Sequence, residues 1–344
     1  NMCGTWTVAG DFEKAISVLD GIGMVTGKPE LVTLARGTNV VADSLLESRI
    51  GMFGKPTGWD SRPAEIMIAE AVKAAEKSEV VVAILGEASE SSGECSSITN
   101  IELPANQREL LKALLKTGKP VVMVLFTGRP LAITWEQENV PAILNVWFGG
   151  SEAGAAVADV LFGDVVPSGK LTASFPSNTG QIPVFYNHKD TGRPLPEGQW
   201  FTKFLTNYLD VPNEPLYPFG YGLSYTSFSY SDLKLSNHTM KPGESIDVSV
   251  KVTNTGNYDG KEVVQLYIRD MVGTTTRPVK ELKGFQKIFL KKGETKEVKF
   301  TIDIEDLKFY NYDLDFVAEP GDFKVFTGGN SRDVLEADFV LTEI

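Results

Sequence analysis

Residues 80–97 read VVVAILGEASESSGECSS. An uninterrupted apolar run, residues 80–85, ends at Gly86 and opens into a loop that carries Glu87, Glu90 and Glu94. A short continuous apolar run is the pattern of a strand buried on both faces, and such strands belong to parallel sheets with helices on either side. In sheets of that kind the loops at the carboxyl ends of the strands hold the ligand. A carboxylic acid there is placed to protonate a leaving group, provided that a second group attacks the substrate.

The segments on either side repeat the alternation. Residues 62–77, RPAEIMIAEAVKAAEK, place Ile66, Ile68, Ala69, Val72 and Ala75 mostly on one helical face, with Pro63 in the first turn where proline fits. Residues 104–117, PANQRELLKALLKT, predict a helix that buries Leu110, Leu111, Leu114 and Leu115; Gly118 stops it and Pro120 blocks its continuation. Buried strands are expected at 121–126 and 142–148. Residues 151–162, SEAGAAVADVLF, open on a good N-cap, Ser151, and predict a small-residue helix packed close to the sheet. Strand and helix alternating in this way predict a mostly parallel α/β sandwich.

Residues 163–225 change character. Gly, Pro, Asn and aromatic residues dominate, and Phe185, Tyr186, Trp200, Phe201, Tyr217, Phe219, Tyr221 and Tyr225 argue against disorder. After about residue 228 the period becomes two. IDVSVKV, residues 246–252, alternates cleanly, and residues 262–269 and 298–304 are strand-like. Turn residues such as Lys241-Pro-Gly243, Asn254-Thr-Gly256 and Glu319-Pro-Gly321 separate these runs. Short alternating strands at this spacing predict an antiparallel β-sandwich.

Composition narrows the function classes. The chain has 344 residues, 42% apolar and 23% charged, enough for two domains with sizeable cores. A formal net charge of -12 is a poor electrostatic match for nucleic acid or an anionic membrane. No apolar run reaches transmembrane length. The two cysteines, Cys3 and Cys95, make neither a disulfide framework nor a C-x-x-C metal pattern. The two histidines, His188 and His238, thin the case for a Ser-His-Asp hydrolase, a zinc enzyme or a histidine proton shuttle. No cofactor is implied. The run Gly149-Gly-Ser-Glu-Ala-Gly154 lacks the G-x-G-x-x-G spacing of a phosphate-cradling loop, so close helix–sheet packing accounts for it better.

Five ordered stretches carry a resemblance. They are Met2-Cys-Gly-Thr-Trp6; Ser92-Gly-Glu94 with Ser96-Ser97; and Thr117-Gly-Lys-Pro-Val121. The fourth is Pro167-Ser-Gly-Lys-Leu171 running to Phe175-Pro176, with Gly180-Gln-Ile-Pro183 and Thr191-Gly-Arg-Pro194. The fifth is Tyr217-Pro-Phe-Gly-Tyr-Gly-Leu-Ser-Tyr225, followed by Glu281-Leu-Lys-Gly-Phe285. The set resembles the C-terminal part of glycoside hydrolase family 3, of the bacterial periplasmic β-glucosidase type. The resemblance implies an α/β sandwich domain over residues 1–190 that lacks its opening strand. A structured linker over 191–225 and a fibronectin-III-like domain over 226–344 would follow. It also implies a (β/α)8 barrel ahead of Asn1 that supplies an aspartate nucleophile, so no residue of this sequence takes that role. The family's acid/base glutamate, in relatives with a Ser-Gly-Glu pattern, corresponds to Glu94. Cys95 stands where that pattern has a small residue such as alanine.

Retaining glycoside hydrolysis needs two carboxyl groups about 5–5.5 Å apart, one to attack and one to protonate the departing oxygen and then activate water. The acid must hold its proton near neutral pH, which burial or a nearby negative charge achieves. A loop clamped between two domains supplies both, so any such effect on Glu94 is expected only with the barrel docked. The expected function is that of the C-terminal portion of a retaining exo-β-glucosidase, periplasmic or secreted and inactive without its barrel. Its substrate would be a β-glucoside or oligosaccharide. Each candidate has a second reading. Glu94 is otherwise a solvated loop carboxylate. Glu87 either orients Glu94, touches sugar, or is a hydrogen-bonded structural group. His188, Arg193 and Trp200 either line a sugar subsite or brace the connecting segment, and Glu90 is a surface residue. The same architecture serves β-xylosidases and α-arabinofuranosidases. A non-catalytic carbohydrate-binding or interaction module is the reading from a different class.

Overall fold

The computed structural model describes residues 2–7, 9–49, 58–196 and 198–343. The chain divides into two compact units, residues 1–165 with 176–180, and residues 166–175 with 181–344.

The first unit contains α1 (Val18–Thr26), α2 (Ser44–Arg49), α3 (Ala64–Glu76), β1 (Val81–Gly86), α4 (Ala105–Leu115), β2 (Val121–Phe126), α5 (Thr134–Asn139), β3 (Ala142–Asn145) and α6 (Ala153–Phe162). The three strands form one parallel sheet in the order β1-β2-β3, with Val81 opposite Val121 and Val122 opposite Ala142. Each parallel step needs a crossover, and α4 and α5 provide them. Side chains alternate between the faces. Val82, Val124, Phe126 and Leu144 join Val18 and Ile22 of α1 and Val157 and Ala158 of α6 in one core. Ala83, Leu85, Met123 and Leu125 are buried on the opposite face. Each fully buried side chain of this size contributes about 1.5–3 kcal/mol.

Several details depart from expectation. The third strand stops at Asn145 rather than at residue 148, because Trp147 turns into the left-handed region with φ 52°. Helix α6 begins behind Glu152, not Ser151. The Ser151 carbonyl instead accepts the Ile16 amide at 2.8 Å. The small residues of α6 serve its crossing with α1 more than its contact with the sheet. A Cβ on Gly154 would stand 2.1 Å from the Ser17 carbonyl oxygen, and one on Gly21 would stand 2.2 Å from that of Gly154. In α3 the buried face is Met67, Ala71 and Ala75, while Ile66 is exposed. Ile68, Ala69 and Val72 border an open groove shared with Ala113 of α4.

The second unit is a β-sandwich. It contains β4 (Phe228–Leu235), β5 (Thr239–Met240), β6 (Ile246–Asn254), β7 (Gly260–Asp270), β8 (Glu281–Leu290), β9 (Thr295–Ile302), a short α7 (Ile304–Leu307), β10 (Phe309–Tyr310), β11 (Phe316–Val317), β12 (Gly321–Gly328) and β13 (Val334–Leu341). A five-stranded sheet, β5-β13-β12-β7-β8, and a three-stranded sheet, β4-β6-β9, enclose a core that includes Val248, Val250, Val252, Leu266, Phe323 and Phe339. The clean alternation of residues 246–252 is the inward face of β6. Ile304 lies in α7 rather than a strand, since Asp303 and Asp306 form a capping box that starts the helix.

The irregular residues 166–175 and 181–225 fold against this sandwich. The Leu171 amide donates to the Tyr221 carbonyl at 2.8 Å and the Phe175 amide to that of Tyr217 at 2.9 Å. Tyr186 stacks on Phe219 at 4.4 Å, and Arg269 pairs with Asp190 at 2.8 Å. Lys170 reaches the buried carboxylate of Glu262 at 3.0 Å. The expected combination, a parallel α/β unit with an antiparallel β-sandwich, is what the structure shows. Among the described residues no helix is long and apolar enough to cross a membrane.

Candidate functional site

The loop from Glu87 to Ser97 leaves the carboxyl end of β1, beside the carboxyl end of β2. Its root is pinned. The Glu87 amide donates to the Phe126 carbonyl at 2.8 Å. Gln107 of α4, itself buried, accepts the Gly86 amide at 2.7 Å and donates to the Gly86 carbonyl at 2.7 Å. Gly86 has φ 136°, and a Cβ there would stand 1.7 Å from the Phe126 carbonyl oxygen, so only glycine fits.

Glu87 is 6% exposed and turns inward. One carboxylate oxygen lies 3.2 Å from Arg129 Nε, and the other accepts the Thr127 hydroxyl at 2.7 Å. A buried carboxylate needs such partners. Of the readings open to Glu87, this geometry gives it the bonds of a structural group.

Beyond Glu87 the chain makes one tight turn, Ser89–Ser91, and is then held by side chains from elsewhere. Thr5 donates from one hydroxyl position toward the carbonyls of Ser89 and Ser92, the latter at 2.6 Å. Arg129 Nη2 donates to the Ser91 carbonyl. Gly128 makes room, since a Cβ there would stand 2.0 Å from Ser92 Oγ. The loop then closes a turn from the Gly93 carbonyl to the Ser96 amide at 3.3 Å. Glu94 sits in that turn with its side chain exposed. Cys95 follows at φ 58°, its thiol free and exposed; Cys3 is also a free thiol.

Glu87 and Glu94 therefore share one loop but not one environment. Glu90 lies in the Ser89–Ser91 turn. His188, Arg193 and Trp200 belong to the second unit and are exposed there, Trp200 at 51%. His188 and Arg193 use their carbonyls to hold the connecting segment, accepting the Val279 and Thr206 amides at 2.9 and 2.8 Å. No group of three or more His, Cys, Asp or Glu side chains is placed to hold a metal ion among the described residues.

Sequence reasoning missed Thr5, Gln107, Thr127, Gly128 and Arg129 as parts of this site. A signal was present. Thr127-Gly-Arg follows the apolar run 121–126 just as Gly86-Glu follows 80–85, and neighbouring parallel strands bring such ends together.

Residues 1–225 match the profile of the glycosyl hydrolase family 3 C-terminal domain, and residues 262–331 that of a fibronectin type III-like domain. The chain is 47% identical over 342 residues to the periplasmic beta-glucosidase of Salmonella typhimurium, a match covering 99% of this chain and 44% of that protein. It is 40% identical over 333 residues to a beta-xylosidase of Formosa agariphila, covering 96% of this chain and 42% of that protein. Among solved structures, the beta-glucosidase of Listeria innocua in complex with isofagomine superposes with a TM-score of 0.86 at 39% identity, covering 99% of this chain and 44% of that one. The chain thus spans less than half the length of these relatives. Joined to the ordered motifs and the two folds, these matches show that the chain belongs to glycoside hydrolase family 3 and carries its C-terminal α/β domain together with a fibronectin type III-like domain.

Proposed function

We propose that this chain is the C-terminal portion of a retaining exo-β-glucosidase that hydrolyses terminal non-reducing β-D-glucosyl residues. Glu94 is the general acid/base, and a (β/α)8 barrel outside these residues supplies the aspartate nucleophile. The observation that carries the proposal is the contrast within one loop. Glu87 is buried and ion-paired, whereas Glu94 projects, exposed, from a turn whose preceding carbonyls are tied down. A carboxyl group meant to meet a substrate must be free of structural partners and yet held in place. In the glycosylation step Glu94 passes its proton to the departing glycosidic oxygen while the nucleophile takes the anomeric carbon. In the second step its carboxylate takes a proton from water, which displaces the nucleophile. The exposed ring of Trp200 offers a sugar a flat apolar face, and Arg193 and His188 offer donors, as substrate-binding candidates. The likeness to the periplasmic Salmonella protein supports a periplasmic or secreted location.

Glu94→Gln in the full-length enzyme tests the assignment. It is expected to lower kcat/KM for phenyl β-glucoside by about 10²–10⁴-fold, leave dinitrophenyl β-glucoside nearly untouched, and regain turnover with azide. Equal loss on both leaving groups would count against Glu94. β-Xylosidase activity is the second reading, supported by the likeness to the Formosa protein. Comparing aryl β-glucoside, β-xyloside and α-arabinofuranoside on the same preparation decides between them. Absence of turnover on all three would instead favour a non-catalytic binding module.

A further inference from the structure

The loop that carries Glu94 has two short turns of its own, Ser89–Ser91 and Gly93–Ser96, and lies outside the strand ladders. What fixes it is a set of donors aimed at three carbonyls, those of Ser89, Ser91 and Ser92. Arg129 is central to the set. Its guanidinium faces the carboxylate of Glu87 at the loop's root and donates to Ser91, three residues before Glu94. A planar group with several donors reaches two sites in fixed relation, which a lysine ammonium does not. Thr127 holds the second oxygen of Glu87, and the space above Gly128 receives Ser92. Thr5 closes the other side, its methyl group against Gly93, where a Cβ would stand 2.9 Å from Thr5 Cγ2.

We infer that Arg129, with Thr5, is a positioning residue of the reaction: it holds the Glu94 turn where the acid's proton meets the leaving oxygen. This rests on the assignment of Glu94 as acid/base. Arg129 touches neither substrate nor the reacting atoms in this account. Its effect passes through the loop, and a misplacement of about 1 Å in a proton donor costs on the order of 10²-fold in rate.

The consequence separates positioning from general damage. A loosened acid matters for a poor leaving group and hardly at all for one that departs unaided. The test measures kcat/KM for phenyl and dinitrophenyl glycosides with full-length enzyme, using the sugar that the wild type cleaves fastest. Arg129→Lys keeps the charge opposite Glu87 and removes the double reach. It is expected to lose about ten-fold or more on the phenyl glycoside and less than about three-fold on the dinitrophenyl one. Thr5→Val, which removes the donor to Ser89 and Ser92, is expected to show the same selectivity, and Thr5→Ser to restore wild-type rates; Thr5→Val carries the test should Arg129→Lys fail to fold. Equal loss on both leaving groups, or no loss on either, overturns the inference. Glu94→Gln measured alongside keeps the two questions apart. If that variant discriminates between the leaving groups and the Arg129 and Thr5 variants do not, the acid/base assignment stands and the positioning role falls. If Glu94→Gln itself fails to discriminate, the assignment falls, and the positioning role with it.

Discussion

At the scale of single residues, Gly86 decides where the loop can begin. Its φ of 136° and the Phe126 carbonyl in the place of a Cβ leave no room for any side chain. Gly86→Ala is expected to destabilise the chain by about 3 kcal/mol or more, strain and overlap acting together, read as a lower denaturant midpoint. Three acidic residues, Glu87, Glu90 and Glu94, follow that glycine within eight positions, and the sequence displays them equally. Which of them is paired was not legible, because the partners of Glu87 are remote. Thr127 lies 40 residues further on, and a local pattern carries no information about it. Glu94 was singled out by its motif, Ser92-Gly-Glu, and not by any physical feature of the residues beside it. The free thiol of Cys95 takes an αL conformation that costs a non-glycine residue about 1 kcal/mol, with nothing in the structure to explain the choice of cysteine.

At the scale of elements, the join between α4 and β1 is a single amide. Gln107 satisfies both polar groups of Gly86 and also donates to the Val40 carbonyl at 2.6 Å. Gln107→Leu keeps the bulk and removes three bonds, leaving a buried N–H and C=O without partners. The expected cost is about 2–4 kcal/mol, with faster hydrogen exchange at the Gly86 amide than at the β2 amides beside it. In sequence, Gln107 stands at the i position of the face that carries Leu110, Leu111 and Leu114, so the period places it inward, but nothing local names Gly86 as its partner. The strong periodicities were read well: β2 spans residues 121–126 and α4 lies within 104–117. Failures fall where tertiary contact overrode local preference. Ser151 is a good N-cap by type, yet its carbonyl is engaged with Ile16 and the helix starts later. The apolar face expected of α3 counted Ile66, Ile68, Ala69, Val72 and Ala75; Ala75 is buried, but its companions inside are Met67 and Ala71, and Ile66 is exposed.

At the scale of the whole molecule, buried charge makes stability depend on pH. Asp270, at the end of β7, is 5% exposed; burial lifts its carboxyl above the usual range, and Arg277, 3.6 Å away, offsets this only in part. The folded chain therefore holds that proton at pH values where the unfolded chain has lost it. The group's contribution to stability falls as pH rises from the ordinary Asp value through the raised folded one. Asp270→Asn has no proton to lose and still accepts the Val272 amide. Its stability relative to wild type is expected to improve in urea melts as pH rises above the ordinary Asp range, and an unchanged difference would contradict the burial argument. The pairing of an α/β unit with a β-sandwich was legible because their periods differ, 3.6 and buried runs in one half, two in the other. The irregular stretch between them was legible as ordered, from its aromatics, but the strand it would lie against was not. Its course has a further consequence. The polypeptide passes between the two units three times, after residues 165, 175 and 180. Any single breakpoint in the gene therefore splits one unit or leaves part of it attached to the other. Exchanging either unit whole, as its contacts delimit it, would therefore take more than one crossover.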